Sequence, residues 1–176
     1  MSEQIEALIA AEHWKAARRA IRRRLRKEPN SHWLITRLSL TYYEERDYET
    51  AWTYSQQALG LAPRCPLVLW DYAGTLDMLG RTAEAIAVYR RLVRRDLGSL
   101  AYGKCGEGLA RARGLLADCL YRLALCYREL GRFKRSAKFF EQHLAQRGPG
   151  CRSIYPLAQV RKKYKELRSR QHEHAR

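Results

Sequence analysis

Acidic residues are scarce in this chain of 176 residues, because 18 Asp and Glu stand against 34 Lys and Arg, which leaves a formal charge of +16. Proline and glycine are also scarce, with 5 and 11 residues, whereas 46% of the residues are hydrophobic. These numbers exclude a collagen-like or disordered chain and favour a packed core. The basic balance favours anionic partners. At this length we expect a single domain over 1–176.

Long apolar runs are absent as well. No stretch approaches the ~18 apolar residues that a membrane span needs. Glu3 and Glu6 stand where a secretory signal needs positive charge, so we expect a cytoplasmic protein without a membrane span. The five cysteines are scattered and form no CxxC pair, which favours reduced thiols over a disulfide framework.

An internal repeat organises the chain. Eight positions recur in three copies; the second copy lies 34 residues after the first, and the third lies 51 residues later, which is 34 plus an insertion of 17. The matched residues are Leu38, Ser39, Tyr42, Arg46, Tyr48, Ala51, Ser55 and Leu59, then Tyr72, Ala73, Leu76, Gly80, Thr82, Ala85, Tyr89 and Val93, then Leu123, Ala124, Tyr127, Gly131, Phe133, Ser136, Phe140 and Leu144.

Each copy predicts a helical hairpin, because its apolar residues recur at helical intervals on either side of a short break. Gly80 and Gly131 stand at two of these breaks, where a left-handed residue is favoured. Arg46 at the equivalent position shows that glycine is not mandatory there. Small residues such as Ser39 and Ala51 allow the two helices of a hairpin to approach closely.

This pattern resembles the tetratricopeptide repeat family, in which a 34-residue helix–turn–helix unit carries large, small and aromatic residues in this order. The resemblance covers about residues 1 to 150 and implies an all-α fold, a solenoid of helical hairpins with a C-terminal capping helix. We expect hairpins at about 1–31, 32–65, 66–99 and 117–150, an insertion at about 97–116, and the capping helix at about 156–170.

The insertion divides into two parts. Residues 98–108 are rich in glycine, which predicts a loop. From Leu109 onward a helical spacing continues into the fourth hairpin, so we expect the first helix of that hairpin to be extended at its N-terminus by about two turns.

The resemblance also implies a binding surface, because in this family the first helix of each hairpin lines a concave groove. Aromatic residues and leucines dominate those registers, and exposed apolar surface marks interaction sites. We therefore expect a non-catalytic adaptor or chaperone-like scaffold that binds a protein or peptide of acidic character. The alternative is that the insertion, the capping helix or a second copy of the chain in a homo-oligomer covers this surface. The groove residues are Trp33, Thr36, Arg37, Leu40, Tyr43, Trp70, Gly74, Asp77, Tyr121, Arg122, Leu125 and Arg128.

One known binding mode of the family is not expected. Some members grip chaperone C-termini with a carboxylate clamp of Lys and Asn side chains in the groove. Here those positions hold Thr36, Leu40, Trp70 and Asp71.

Arginine-rich second helices suggest a rival function, nucleic-acid or polyanion binding through the convex faces and the C-terminal helix. Gln56 and Gln57 interrupt the basic stripe in the second hairpin. Solvated faces that aid solubility are the other explanation. The candidate anion-binding residues are Arg22, Arg23, Arg90, Arg91, Lys162 and Lys163.

Catalytic and metal sites are not predicted. The glycines of residues 103–108 do not form a GxxxxGK[ST] loop after a strand, so nucleotide binding is not expected. Cys119 and Cys126 lie seven residues apart on one helix face, which predicts buried, reduced thiols rather than a metal site with His143. We assign no catalytic residue, no cofactor and no metal.

Overall fold

The computed structural model describes residues 2–173, with side chains for residues 2–169. This part of the chain is all α-helical. Its ten helices are α1 (Ser2–Ala10), α2 (Trp14–Leu25), α3 (His32–Glu44), α4 (Tyr48–Leu61), α5 (Pro66–Met78), α6 (Thr82–Val93), α7 (Leu97–Tyr102), α8 (Leu109–Glu129), α9 (Phe133–Gln146) and α10 (Leu157–Glu173).

The chain divides into two compact units. Unit 1 is Met1–Arg81 and contains α1 to α5. Unit 2 is Thr82–Arg176 and contains α6 to α10. The boundary falls in the turn of the third predicted hairpin. The expectation that residues 1–176 form a single domain stays a prediction.

The same backbone conformation recurs at the turns between paired helices. The residue two after the helix ends has a positive φ at Glu12 (57°), Arg46 (64°), Gly80 (75°) and Gly131 (67°). The N–H of the following residue donates to the carbonyl five residues before it, for example from Asp47 to Tyr42 at 3.0 Å. The prediction of left-handed turn residues, with glycine not mandatory, is confirmed.

Unit 1 has a core where α1, α2 and α3 meet, made of the buried residues Ile5, Ile21, Leu34 and Leu38. The second hairpin closes around small residues, because α3 and α4 approach closely where Ser39 and Ala51 lie. The Ser39 hydroxyl is 3.0 Å from the Ala51 carbonyl oxygen.

Unit 2 repeats this arrangement in α8 and α9. The Ser136 hydroxyl donates to the Ala124 carbonyl at 2.7 Å, at the same 12-residue separation. Helix α10 packs against α9 and buries Val160 and Leu167 next to Phe140. A capping helix predicted at about 156–170 is therefore present as Leu157–Glu173 and covers the end of the last hairpin.

The insertion differs from its prediction in one respect. Its first part, expected to be a loop, contains the short helix α7. Asp96 caps this helix by accepting a hydrogen bond from the Ser99 N–H at 2.7 Å, and Leu100 is buried against Ala112 of α8. Burial of this apolar side chain outweighs the low helix propensity of Gly98. The predicted extension of the next helix is confirmed, since α8 begins at Leu109.

Candidate partner-binding site

The first helices of the unit 1 hairpins carry a stripe of half-buried residues, which we name the α3–α5 face. Its members recur at intervals of three or four residues, so they share one side of each helix. The α3–α5 face consists of Trp33, Arg37, Leu40 and Tyr43 on α3 and of Trp70, Gly74 and Asp77 on α5.

Trp33 and Arg37 are anchored toward the first hairpin. The Trp33 ring packs against the buried cluster that contains Ile5, and the Arg37 guanidinium lies 5.5 Å from the centre of that ring. Arg37 Nε donates to Glu6 Oε1 at 2.6 Å. The charge of Arg37 is thus already balanced by an acidic group of the chain itself.

Asp71, next to Trp70 on α5, is the unusual group beside this face. One of its carboxylate oxygens lies 2.8 Å from the Ser39 hydroxyl of α3. Burial raises the pKa of Asp71 to about 7, although Ser39 and the positive charge of Arg37 act in the opposite direction. Asp71 was expected only at a position of the missing carboxylate clamp and not as a partner-contacting residue. A carboxylate in the interior of helix α5, one position after Trp70, was the signal that could have found it.

Thr36 does not belong to this face. Its side chain is buried, with 1% exposure, and its hydroxyl donates to the His32 carbonyl one turn earlier at 2.8 Å. The assignment of Thr36 to a partner-contacting surface is wrong, because its position on α3 points into the packed side of the helix.

Tyr121, the groove residue expected on α8, is covered by the chain. Its side chain is 1% exposed. Its ring lies 4.3 Å from the ring of Tyr155 and 5.9 Å from that of Phe140, measured between centroids. Tyr121 as an open groove wall is therefore wrong. It is covered by the chain itself, through Tyr155, which lies just before the capping helix. Arg122, Leu125 and Arg128 are half-buried on the same helix.

The covering segment is residues 148–156, which we name the strap. The Arg152 N–H donates to the Ala110 carbonyl at 3.3 Å. One carboxylate oxygen of Asp118 accepts from the Ser153 hydroxyl at 2.5 Å and the other accepts from the Ile154 N–H at 3.2 Å. Burial under the strap raises the pKa of Asp118 to about 6.

Gly114 creates the space that the strap occupies. A Cβ atom at Gly114 would clash with the Arg152 carbonyl oxygen, so no larger residue fits there while the strap is in place. Gly114 was not among the predicted site residues, although a glycine in the interior of a helix commonly marks a close approach of another backbone.

The candidate anion-binding residues lie at the surface of their units. Five of the six are exposed and Lys163 is half-buried. Arg22 donates to the Tyr42 hydroxyl at 2.5 Å, so its guanidinium is held by an aromatic side chain of the neighbouring helix. The exposed residues are Arg22, Arg23, Arg90, Arg91 and Lys162.

Two cysteines of α8 behave as expected. Cys119 and Cys126 are buried, with 0% exposure, and neither is in a disulfide. Burial raises the pKa of the Cys119 thiol well above its ordinary value. His143 is also buried and its Nδ1 lies 2.7 Å from the Ala117 carbonyl oxygen, so this ring serves the packing of α9 on α8.

The helices from residue 2 to residue 173 were also compared with the length and hydropathy that a bilayer demands. None of them is long and apolar enough to cross a membrane.

Known proteins share this sequence pattern in part. Human DnaJ homolog subfamily C member 7 is 36% identical over 75 residues, which cover 40% of this chain and 15% of the human protein. The mouse protein of the same name matches to the same extent. The matched region thus spans about 15% of the length of these relatives.

Solved structures share the fold. MamA 41-end from Desulfovibrio magneticus RS-1 superposes with a TM-score of 0.63 at 15% identity, over 83% of this chain and 73% of that one. A tetratricopeptide repeat protein from Parabacteroides merdae gives a TM-score of 0.61 at 16% identity, over 96% of this chain and 59% of that one.

Family models give the assignment. Two models described as tetratricopeptide repeat match residues 36–99 and residues 119–150, together more than half of the chain. These matches contain the three repeat copies and the small-residue contacts of Ser39 and Ser136 described above. The chain belongs to the tetratricopeptide repeat family, whose members are helical scaffolds for protein–protein interaction and generally non-catalytic.

Proposed function

We propose that this protein is an adaptor that binds a segment of a partner protein on the α3–α5 face. The observation that carries the proposal is the half-buried apolar stripe of Trp33, Leu40, Tyr43 and Trp70 on the first helices of two neighbouring hairpins. Aromatic side chains that keep part of their surface in water are the usual anchors of protein interfaces.

The charge of the α3–α5 face refines the expected partner. Arg37 is paired with Glu6, and the face also carries the acidic residue Asp77, so it is closer to neutral than the total charge of +16 suggests. We therefore assign affinity to apolar anchoring and assign to the positive charge of the chain a role in steering an acidic partner toward it.

Trp70 and Leu40 are the residues to change. The Trp33 ring supports the core cluster of α1, α2 and α3, so its removal would disturb the fold. We expect Trp70→Ala to weaken partner binding by on the order of 2 kcal/mol, about 30-fold, and Leu40→Ala to weaken it less. Leu61→Ala removes an exposed leucine of α4 and is the matched control that should leave binding unchanged.

The test combines these variants with salt. Tagged protein is incubated with a lysate of the native host, and the bound proteins are quantified by mass spectrometry at low and high salt. Partners that the Leu61→Ala variant retains, that the Trp70→Ala variant loses and that survive high salt support the proposal. Circular dichroism confirms that each variant is folded. Equal recovery with the Trp70→Ala and Leu61→Ala variants contradicts it.

A second candidate function rests on the exposed arginines of α2 and α6. Polyanion binding through them would weaken steeply with salt, because it releases condensed counterions. Reversal of Arg22, Arg23, Arg90 and Arg91 to Glu should leave groove binding largely intact. If this reversal abolishes the binding of a fluorescent RNA or of the captured proteins while Trp70→Ala has no effect, polyanion binding takes the place of the groove.

A further inference from the structure

The strap occupies the side of α8 on which the register of Tyr121 predicts a partner-binding groove. Asp118 and Tyr121 are one turn apart on that side, and both contact the strap. Gly114, one turn before Asp118, leaves room for the strap backbone. We name these three residues the α8 face. A segment of the chain thus lies on it as an added peptide would.

The contacts define what this face recognises. Asp118 accepts one hydrogen bond from the Ser153 hydroxyl and one from the backbone N–H of Ile154. The Tyr155 ring, two residues after Ser153, packs on Tyr121. The intervening side chain of Ile154 is 66% exposed, so the face does not select it. The recognised chemistry is a hydroxyl residue, any residue, then an aromatic residue.

The strap also has the features of a segment that opens locally. It begins with Gly148, Pro149 and Gly150, and Gly150 has a φ of 77°. Outside the Asp118 contacts its backbone donates one hydrogen bond to α8, from Arg152 to Ala110. Closing also removes the Asp118 carboxylate from water, which costs free energy when this group is ionised, and the hydrogen bonds from Ser153 and Ile154 offset this cost only in part. Segments with few buried contacts exchange between closed and open states well before the core unfolds.

We propose that the α8 face is a peptide-binding surface, that the strap is its built-in occupant, and that strap opening exposes it to an extended segment of a partner with the same hydroxyl–any–aromatic chemistry. This inference does not depend on the α3–α5 face, since all of its residues lie in unit 2. A tethered occupant competes at an effective concentration on the order of 1 mM, so the free strap sequence should bind the wild-type chain weakly.

The probe is a fluorescein-labelled peptide with the sequence of residues 150–157, carrying Cys151→Ser to prevent oxidation. Its binding is measured by fluorescence anisotropy with the full chain. The double variant Ser153→Ala/Tyr155→Ala loosens the strap and leaves the α8 face intact. We expect it to bind the probe at least tenfold more tightly than the wild-type chain. The variant Ile154→Ala changes an exposed strap residue and should bind like the wild-type chain.

A glycine substitution then identifies the surface. Gly114→Ala, added to the double variant, places a Cβ atom where the probe backbone would lie and should abolish the gain. Gly60→Ala is the matched control, because Gly60 is also helical and has no atom within 4 Å of its Cβ position. If the loosened variant binds no better than wild type, or if Gly114→Ala has no more effect than Gly60→Ala, the proposal is wrong.

Hydrogen exchange gives a second test that uses the wild-type chain, so its result does not depend on whether any variant folds. The Ile154 N–H is protected by Asp118, and the Leu123 N–H lies in the buried part of α8. We expect Ile154 to exchange at least 100-fold faster than Leu123, through local opening. Exchange of both amides at one rate would mean that the strap opens only when unit 2 unfolds, and this result overturns the proposal.

Discussion

The Ser39 hydroxyl lies 2.8 Å from an oxygen of Asp71 and 3.0 Å from the carbonyl oxygen of Ala51, and it has one hydrogen to donate. When Asp71 is ionised, one of these two oxygens lacks that hydrogen. When Asp71 is protonated, its own O–H donates to Ser39, and Ser39 donates to Ala51. Burial of the carboxyl raises the pKa of Asp71 to about 7, and the single hydrogen that Ser39 shares between two oxygens offsets this rise only in part.

Asp71→Asn should therefore stabilise the protein at neutral and alkaline pH. A carboxyl whose pKa is raised on folding, here from 3.8 to about 7, favours the folded state below pH 3.8, and this advantage is lost as the pH rises to about 7. The amide of the variant mimics the protonated form at every pH. We expect a gain on the order of 2 kcal/mol at pH 8 and little gain at pH 4, measured by urea unfolding. A gain that is independent of pH would contradict this account.

Arg46→Gly should stabilise the second hairpin by about 1 kcal/mol. Arg46 has a φ of 64°, a conformation that costs a residue with a Cβ atom about 1–2 kcal/mol, part of which glycine returns as flexibility of the unfolded chain. Gly80→Ala is the reverse change at the next turn, with open space around the new atom. It should destabilise by a similar amount. Thermal melting of both variants tests the pair, and equal signs would refute the explanation.

Ser136 should be intolerant of a larger side chain. It is buried where α9 approaches α8, and it donates a hydrogen bond to Ala124. Ser136→Ala removes that bond and should cost about 1 kcal/mol. Ser136→Leu also separates the helices and should cost about 3 kcal/mol or more. Ala145→Leu on the exposed side of α9 is the control and should be close to neutral in urea unfolding.

Local features of the fold could be predicted from the sequence. The helices and their turns follow from apolar spacing and from the residues at the breaks, and these signals lie within about ten residues of what they specify. Arg46 even shows that the turn conformation is imposed by the hairpin rather than by glycine. Helix α7 was missed because Leu100 forms it by packing on Ala112, a tertiary contact that outweighs local propensity.

The site was less predictable, because exposure depends on segments distant in the sequence. Tyr121 has the register of a groove residue, and only the path of the strap shows that Tyr155 covers it. The bond between Asp118 and Ser153 joins residues 35 positions apart. Likewise, whether the charge of Arg37 can interact with a partner depends on Glu6, which lies on another helix. The spacing of residues along the sequence does not indicate contacts of this kind.

The five cysteines should divide into two reactivity classes. Cys65, Cys119 and Cys126 are buried, whereas Cys105 and Cys151 are half-buried. The thiolate is the reactive form, and burial raises the pKa of the Cys119 thiol. A bulky thiol reagent should modify two sites per chain within minutes and the other three only in denaturant, as followed by mass spectrometry. Fast modification of Cys119 or Cys126 in the native protein would show that the α8–α9 core exposes these thiols to solvent, and this would contradict the prediction.

His143 should make the protein sensitive to acid. Its ring is buried, and burial lowers its pKa from the ordinary 6.5, with the nearby charge of Arg147 acting in the same direction. The unfolded chain therefore takes up the proton first, so the contribution of His143 is present above pH 6.5 and decreases as the pH falls toward its folded value.

His143→Asn isolates this contribution, because the amide can donate to the Ala117 carbonyl as Nδ1 does but does not titrate. We expect the wild-type chain to lose stability relative to this variant between pH 7 and pH 5, by up to about 1.4 kcal/mol for each unit by which the pKa is lowered. Comparison at each pH removes the opposite effect of Asp118, whose raised pKa favours the folded state as the pH falls through about 6. His13→Asn, at an exposed histidine, is the matched control for the substitution itself. If the difference between the wild-type chain and the His143→Asn variant does not change with pH, the buried ring is not the acid-sensitive group.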